Sequence, residues 1–304
     1  MMQQFNSLLE MMEVFPDEQS CIDHFRAIRW ANGAYCPHCG SDRIYDFSDQ
    51  RTHKCGDCRQ RFSIKVGTIF EDTKLPLRKW FIAIWLITSH KKGIASTQLA
   101  KDLKITQKSA WFVLHRLRYA ARTQSFNAPL EGDIEVDETY VGGKGKNKHA
   151  DKKSGKRGGA DKTPVIGAVS RQGDVVAQVS DSVGTKALEQ FVDQTVDPAK
   201  VRTLSTDEWA GYRRLHMKYP HGVVRHNKGE YVNGDFHTQT IDGYWSQLKR
   251  QIIGIHHWVS PKHLNRYVAE SSWRHNRRKI GEGSRVNALI ADATGRLTYK
   301  ALIT

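Results

Sequence analysis

No apolar run in this 304-residue sequence is long enough to cross a bilayer: the longest, residues 80–89, is about half of the roughly 20 residues that a membrane helix needs. A membrane protein is therefore not expected. Acidic residues are scarce, with 32 Asp and Glu against 47 Lys and Arg, a formal net charge of +15. Cysteine is held to five residues. Residues 1–10 lack the basic region, apolar run and small-residue cleavage site of a secretion signal. The expectation is an intracellular, cytoplasmic chain whose thiols stay reduced. Hydrophobic residues at 39% and aromatics at 10% exclude a disordered chain. The length suits two domains, or one large domain with small appendages. The basic surplus points to a polyanionic partner, most economically nucleic acid.

The charge is concentrated. Residues 144–162 hold eight basic side chains against Asp151 and Asp161, and residues 249–279 hold eight against Glu270. A charge run alone is often just a solvated face, but two dense ones in a single chain favour polyanion binding, which salt would weaken steeply.

Four cysteines form a pattern: Cys36-Pro-His-Cys39, then Cys55-Gly-Asp-Cys58. Two CxxC pairs suit a four-thiolate zinc site, because each short turn offers two sulfurs on one edge of the ion. Gly40 and Gly56 fall where the knuckle turns need a permissive backbone. Residues 43–47 and 61–65 read as short strands, so residues 33–70 are expected to form a zinc ribbon. Four thiolates leave no open position, which makes the zinc structural; His38 and His53 are surplus, and Cys21 reads as a small buried residue. A disulfide or a redox CxxC is the alternative, disfavoured by a reducing compartment and by the doubled motif.

Residues 1–32 suggest two short helices broken around Phe15-Pro16-Asp17, and residues 76–90 a buried helix. Within 71–125, Ser96 can cap a helix carrying Leu99, Ala100 and Leu103, and Thr106 can cap a second. There Ala110, Val113, Leu114 and Leu117 repeat at i, i+3, i+4 and i+7. Two helices joined by a tight turn have the dimensions of a helix-turn-helix, or of an ordinary helical hairpin. On the first reading Gln107, Lys108, His115, Arg116 and Arg118 face the DNA.

From residue 131 to 304 the pattern is α/β. Residues 133–141 alternate, with Ile134 and Val136 on one face and Asp133, Glu135 and Asp137 on the other. A Gly/Lys-rich loop, 142–163, precedes strands at 164–171 and 174–180, a helix at 185–195, a strand at 201–206 ending in Asp207, and a helix through 238–252. The order β, β, β, α, β, then helices, is of the ribonuclease H type. Asp137, Asp207 and Asp242 come from three elements; converging at one end of a sheet, they suit hard divalent cations such as Mg²⁺. A strand-embedded Asp is unusual, so Asp137 is the firmest of the three.

At these residues the sequence resembles the transposases of the IS1595 group of bacterial insertion sequences, with the ISXO2-like domain. The matching pieces are Arg29-Trp30 with Gly33 before the first CxxC; Lys92-Gly93-Ile94 leading to Ala110-Trp-Phe-Val-Leu-His-Arg-Leu-Arg118; Glu135-Val-Asp-Glu-Thr-Tyr-Val-Gly-Gly-Lys144; Thr206-Asp-Glu; and His237-Thr-Gln-Thr-Ile-Asp-Gly-Tyr-Trp-Ser-Gln-Leu-Lys249. The resemblance implies a DDE-type transposase: zinc ribbon, helix-turn-helix, then an RNase H-like catalytic domain that cuts and joins DNA with Mg²⁺ or Mn²⁺. Asp137 and Asp207 take the first two carboxylate positions. Asp242 takes the third, where Glu or Asn is expected, seven residues before Lys249, which would steady a phosphate by charge. Glu230, Asn233 and Asp235 are other candidates for the third ligand. His237 precedes this helix as a structural or capping residue, and Trp245 reads as core. Lys144, Lys146, Lys148, Lys152, Lys153, Lys156 and Arg157 of the loop, and Arg250 beside Lys249, would contact double-stranded DNA. Work at the bacterial nucleoid, as at least a homodimer when two ends are paired, is also implied. The competing readings are a non-enzymatic zinc-ribbon regulator, a ribonuclease H-like nuclease and an inactive transposase.

Overall fold

The computed structural model describes residues 4–122, 129–143 and 162–304. The chain divides into two compact units, Met1–Thr123 with Lys279–Thr304, and Gln124–Arg278. Among the described residues no helix is long and apolar enough to cross a membrane.

In the first unit, α1 (Leu8–Val14) and α2 (Glu18–Arg29) flank Pro16, and Asp17 starts α2 with a reciprocal capping box to Ser20. A three-stranded antiparallel sheet follows, of β1 (Ile44–Asp46), β2 (Thr52–Cys55) and β3 (Arg61–Ser63). Then come α3 (Leu77–Ser89), α4 (Ser96–Leu103) and α5 (Gln107–Arg122). Ala95, not Ser96, holds the cap position of α4, without a side-chain bond. Thr106 caps α5 through Oγ1, which accepts from Ser109 N at 3.2 Å. Lys104 makes the turn between them in the left-handed region, φ 50°.

The second unit is built on a five-stranded sheet of β4 (Leu130–Val141), β5 (Thr163–Ser170), β6 (Val175–Val179), β7 (Val196–Thr206) and β8 (His221–Val223), in the order β6-β5-β4-β7-β8. The β6-β5-β4 half is antiparallel, and β7 and β8 run parallel to β4. Alternation along β4 decides the layers. Ile134 and Val136 pack with Leu188, Phe191 and Val192 of α6 (Thr185–Thr195) on one face. On the other, Val165 and Val169 pack with Ile241, Trp245 and Leu248 of α7 (Gln239–Gln251) and Leu264 and Val268 of α8 (Pro261–Asn276). This strand order between helical layers is that of an RNase H-like domain. The minor hairpin of β9 (Val232–Asn233) and β10 (Phe236–His237) leads into α7.

The expectation of a single domain over 131–304 differs from the structure at its end. Residues 279–304, with α9 (Glu282–Ala291) and α10 (Tyr299–Ile303), pack in the first unit. There Ala293 O accepts from Ile69 N at 3.1 Å, and Gly67 O accepts from Gly295 N at 3.0 Å.

Candidate functional site

In the ribbon, the Sγ atoms of Cys36, Cys39, Cys55 and Cys58 all lie within 4.8 Å of one another. Cys36 and Cys58 stand 3.6 Å apart, as do Cys39 and Cys55. That is far beyond a disulfide bond of about 2.05 Å. It is close to the roughly 3.8 Å between sulfurs on a tetrahedron of 2.3 Å zinc–sulfur bonds. The backbone N–H groups of His38 and Asp57 donate to Cys36 and Cys55, the knuckle contacts that stabilise thiolate charge. The four-cysteine cluster fits a structural zinc. Gly40 sits left-handed at φ +77°, as the first knuckle requires, but in the second knuckle Arg59, φ 63°, has that role. Gly56 is needed instead for closeness: a Cβ there would lie 3.1 Å from Tyr45 and 3.2 Å from Arg43. His53 is wholly buried between Trp30 and Phe62, with Nδ1 2.7 Å from Asp46. It is part of the ribbon's small core and not a ligand. Cys21 is buried in the unit's interior, and burial pushes its thiol up to about 12.

The α4–α5 pair corrects part of the expected DNA-facing set. Lys108 and Gln107 are exposed at the start of α5, but His115, Arg116 and Arg118 are buried, at 0%, 6% and 1% exposure. Arg116 donates to the carbonyls of Leu297, Ile69 and Glu71. A guanidinium so engaged ties two loops, 64–76 and 292–298, to α5 and cannot reach a phosphate. For Arg116 the physical reason is that Leu297 accepts from its guanidinium and Tyr299 packs beside it, against Trp111 and Phe112 and under the Lys108 ammonium; Arg118, one turn after Leu114, is buried along the apolar stripe itself. Lys144, Lys146, Lys148, Lys152, Lys153, Lys156 and Arg157 lie outside the described residues.

In the second unit the sheet register brings the first two carboxylates together. Glu135 of β4 pairs with Ser205 of parallel β7, so two residues on, Asp137 inside β4 comes alongside Asp207, the first residue past the end of β7. Asp207 Oδ1 accepts from Trp209 N at 2.9 Å. Asp137 Oδ2 accepts from the indole Nε1 of Trp245 at 2.9 Å. Asp242 lies in the first turn of α7, exposed, with Thr238 Oγ1 3.4 Å from Oδ2. Burial, then the charges of Glu138, Asp207 and Asp242, push the Asp137 carboxyl up to about 8. Burial likewise raises Asp207, with Glu208 and Asp242 adding to it against the Trp209 N–H. The three acids thus sense one another. Lys249 and Arg250 are exposed at the far end of α7. Asp235 is paired with Arg202 at 3.3 Å.

Two acidic residues matter here that the sequence does not single out. Glu135 is completely buried, and it fixes the start of α7. Its oxygens accept from Thr240 N (2.8 Å), Ile241 N (3.0 Å) and Thr240 Oγ1 (2.9 Å), and from Arg171 Nε at 2.9 Å. His237 Nδ1 lies 3.1 Å from the same carboxylate without hydrogen-bond geometry to it. A carboxylate at a helix N-terminus meets unpaired N–H groups and the positive end of the dipole. The signal in the sequence is an acid two residues before Asp137 in the same strand; its partners lie 36 residues away at Arg171 and more than 100 away in Thr240 and Ile241. Glu138, on the other face of β4, accepts from Tyr212 Oη at 2.6 Å, and burial raises it.

Comparison with known proteins agrees with this architecture. The family model described as the ISXO2-like transposase domain matches residues 129–276, and the transposase zinc-ribbon domain matches residues 16–61. The chain belongs to the IS1595 transposase family. A Halobacterium salinarum protein described as an uncharacterized protein in transposable element ISH50 is 28% identical over 274 residues, 84% of this chain and 90% of that relative. A chain from the crystal structure of a pre-cleavage Mos1 transpososome overlaps 74% of this chain and 82% of its own length, at 11% identity and a TM-score of 0.26, too loose a likeness to bear on this IS1595-family chain.

Proposed function

We propose that this chain is the DNA transposase of an insertion sequence, which binds the element's ends and carries out phosphodiester hydrolysis and strand transfer with Mg²⁺ or Mn²⁺. The observation that carries the reading is that Asp137 in β4, Asp207 just past the parallel β7 and Asp242 in the first turn of α7 lie near enough for the charges of Asp207 and Asp242 to raise the Asp137 carboxyl and that of Asp242 to raise Asp207. The donors that Asp137, Asp207 and Asp242 meet in the hydrogen bonds described above are neutral N–H and O–H groups. Like charges held together without a cationic side chain among those donors are costly, and a hard divalent cation relieves that cost with oxygen ligands. A divalent cation held there would supply the charge that activates a water or 3′-hydroxyl and stabilises the leaving oxygen.

Asp137 and Asp207 would hold the cation from the sheet, and Asp242, on a shorter arm than Glu, would complete the site from α7. Glu135 keeps α7 seated so that Asp242 faces the strand ends. Lys249, two turns beyond Asp242, would hold a phosphate by charge, with Arg250 beside it. Gln107 and Lys108 stand at the start of the second helix of the α4–α5 pair, the part of such a helix that reaches base edges in a major groove. Pairing two ends calls for at least a homodimer. A cleavage assay on DNA with the sequences flanking the gene, in Mg²⁺ or Mn²⁺, tests the reading. Cuts at defined ends should be lost in Asp137→Asn and Asp207→Asn, with DNA binding retained, and Asp242→Asn should also cut poorly. Tight binding to those ends with no cut by the wild type would overturn it in favour of a regulator or an inactive transposase.

A further inference from the structure

We infer that Trp245 is a positioning residue for the cation site: its indole N–H fixes one oxygen of Asp137, so that the carboxylate meets a divalent cation with its orientation already set. The inference rests on the proposed cation site. Three observations converge on it. The indole Nε1 is 2.9 Å from Asp137 Oδ2, within hydrogen-bond distance for an indole donor. The ring is 3% exposed, packed with Tyr244 and the apolar face of α7, so it has no freedom to swing away. Gly167, the cross-strand partner of Asp137 on β5, is what lets the ring lie there: a Cβ at Gly167 would fall 2.6 Å from Cη2 and 2.8 Å from Cζ2 of Trp245.

Packing alone would be served by Phe at this position. The N–H adds something that packing does not need, a directed contact to the most buried of the three acids of the proposed cation site. Trp245 is also one turn of α7 beyond Asp242, so the same helix turn that offers the third carboxylate orients the first. Hydrogen-bonding partners behind metal ligands fix ligand orientation, and their loss typically weakens metal binding about 10–100-fold.

The experiment is a calorimetric titration of the zinc-loaded, full-length chain with Mn²⁺, without DNA. Trp245→Phe removes the N–H and keeps most of the volume, and its Kd for Mn²⁺ should rise about tenfold or more. Its thermal midpoint and zinc content should stay near those of the wild type. Gly167→Ala, which crowds the ring while leaving the indole N–H in place, should shift Kd in the same direction. In an Asp137→Asn background, Trp245→Phe should add no further loss, because the two residues act as one unit. If Trp245→Phe fails to fold, replacing Trp245 with benzothienylalanine keeps the ring system and substitutes sulfur for the N–H, and the same shift is expected. Equal Mn²⁺ affinity in the wild type and in the folded variant lacking the N–H overturns the positioning role while leaving the cation site intact. No Mn²⁺ binding by the wild type overturns the cation site, and this inference with it.

Discussion

In the ribbon, two short CxxC turns hold four sulfurs within 4.8 Å of one another, the tightest such grouping among the described residues. In the sheet unit, Asp137, Asp207 and Asp242 come from β4, the end of β7 and α7, and they are not so closely drawn together. The first set is local in sequence and closed by its own backbone. The second depends on a strand register and on the seating of a helix. A site meant to hold its ion for good can be built locally, while a site meant to admit substrate is drawn from separate elements and supported from behind.

That contrast can be broken at either end, and the largest effect is expected in the ribbon. Cys36→Ser should release the zinc and melt β1–β3, because binding of structural zinc, on the order of 10 kcal/mol or more, is the folding free energy of so small a core. Zinc analysis with amide NMR spectra would show it; a ribbon that stays folded without metal would remove the contrast. Next comes the anchor behind the open site. Glu135→Ala leaves Arg171 and the start of α7 without their buried carboxylate and should cost about 3–5 kcal/mol in urea unfolding. Loss of under 1 kcal/mol would mean that α7 is held by packing alone.

Asp137 should behave in the opposite sense. Its folded carboxyl titrates near 8, above the ordinary 3.8, so the favourable effect on stability is fully present below about pH 4 and is lost as pH rises towards 8. Without added divalent cation, stability should fall by up to about 1.4 kcal/mol per pH unit in that window, and Asp137→Asn should flatten the slope. Unfolding curves at several pH values measure this directly, and a slope unchanged by the substitution would show that Asp137 is not the group responsible. The smallest effect belongs to the exposed start of α5. Lys108→Ala should leave stability unchanged, weaken DNA binding a few-fold, and reduce the salt slope by about 1. Arg116→Met, by contrast, should lower stability and leave that slope unchanged.

What could be read in the sequence follows the range of the interactions. The CxxC pairs, the alternation along β4 and the periodicity of α5 and α7 are local, and the structure has each element within a few residues of its expected span. The strand order follows from alternation and element order, because only a few topologies fit β, β, β, α, β. A helical wheel shows which face of α5 is apolar but not that Leu297 and Tyr299 take up the side bearing Arg116, nor that Arg118, one turn after Leu114, is drawn in along the apolar stripe. In the sequence Glu135 is only a polar position on a strand. Its worth lies in Thr240, Ile241 and Arg171, contacts that exist only once the sheet and α7 have assembled.

The interleaving of the two units has a consequence for synthesis. Residues 279–304 supply the Leu297 carbonyl to Arg116, the Ala293 carbonyl to Ile69, and Asn287, which lies 2.8 Å from His24. On a ribosome the sheet-bearing unit emerges in one uninterrupted piece, whereas the ribbon-bearing unit waits for the segment that completes it. Translation that stalls between residues 278 and 297 would therefore release a finished sheet joined to helices with uncovered apolar faces, a natural substrate for chaperones and proteases.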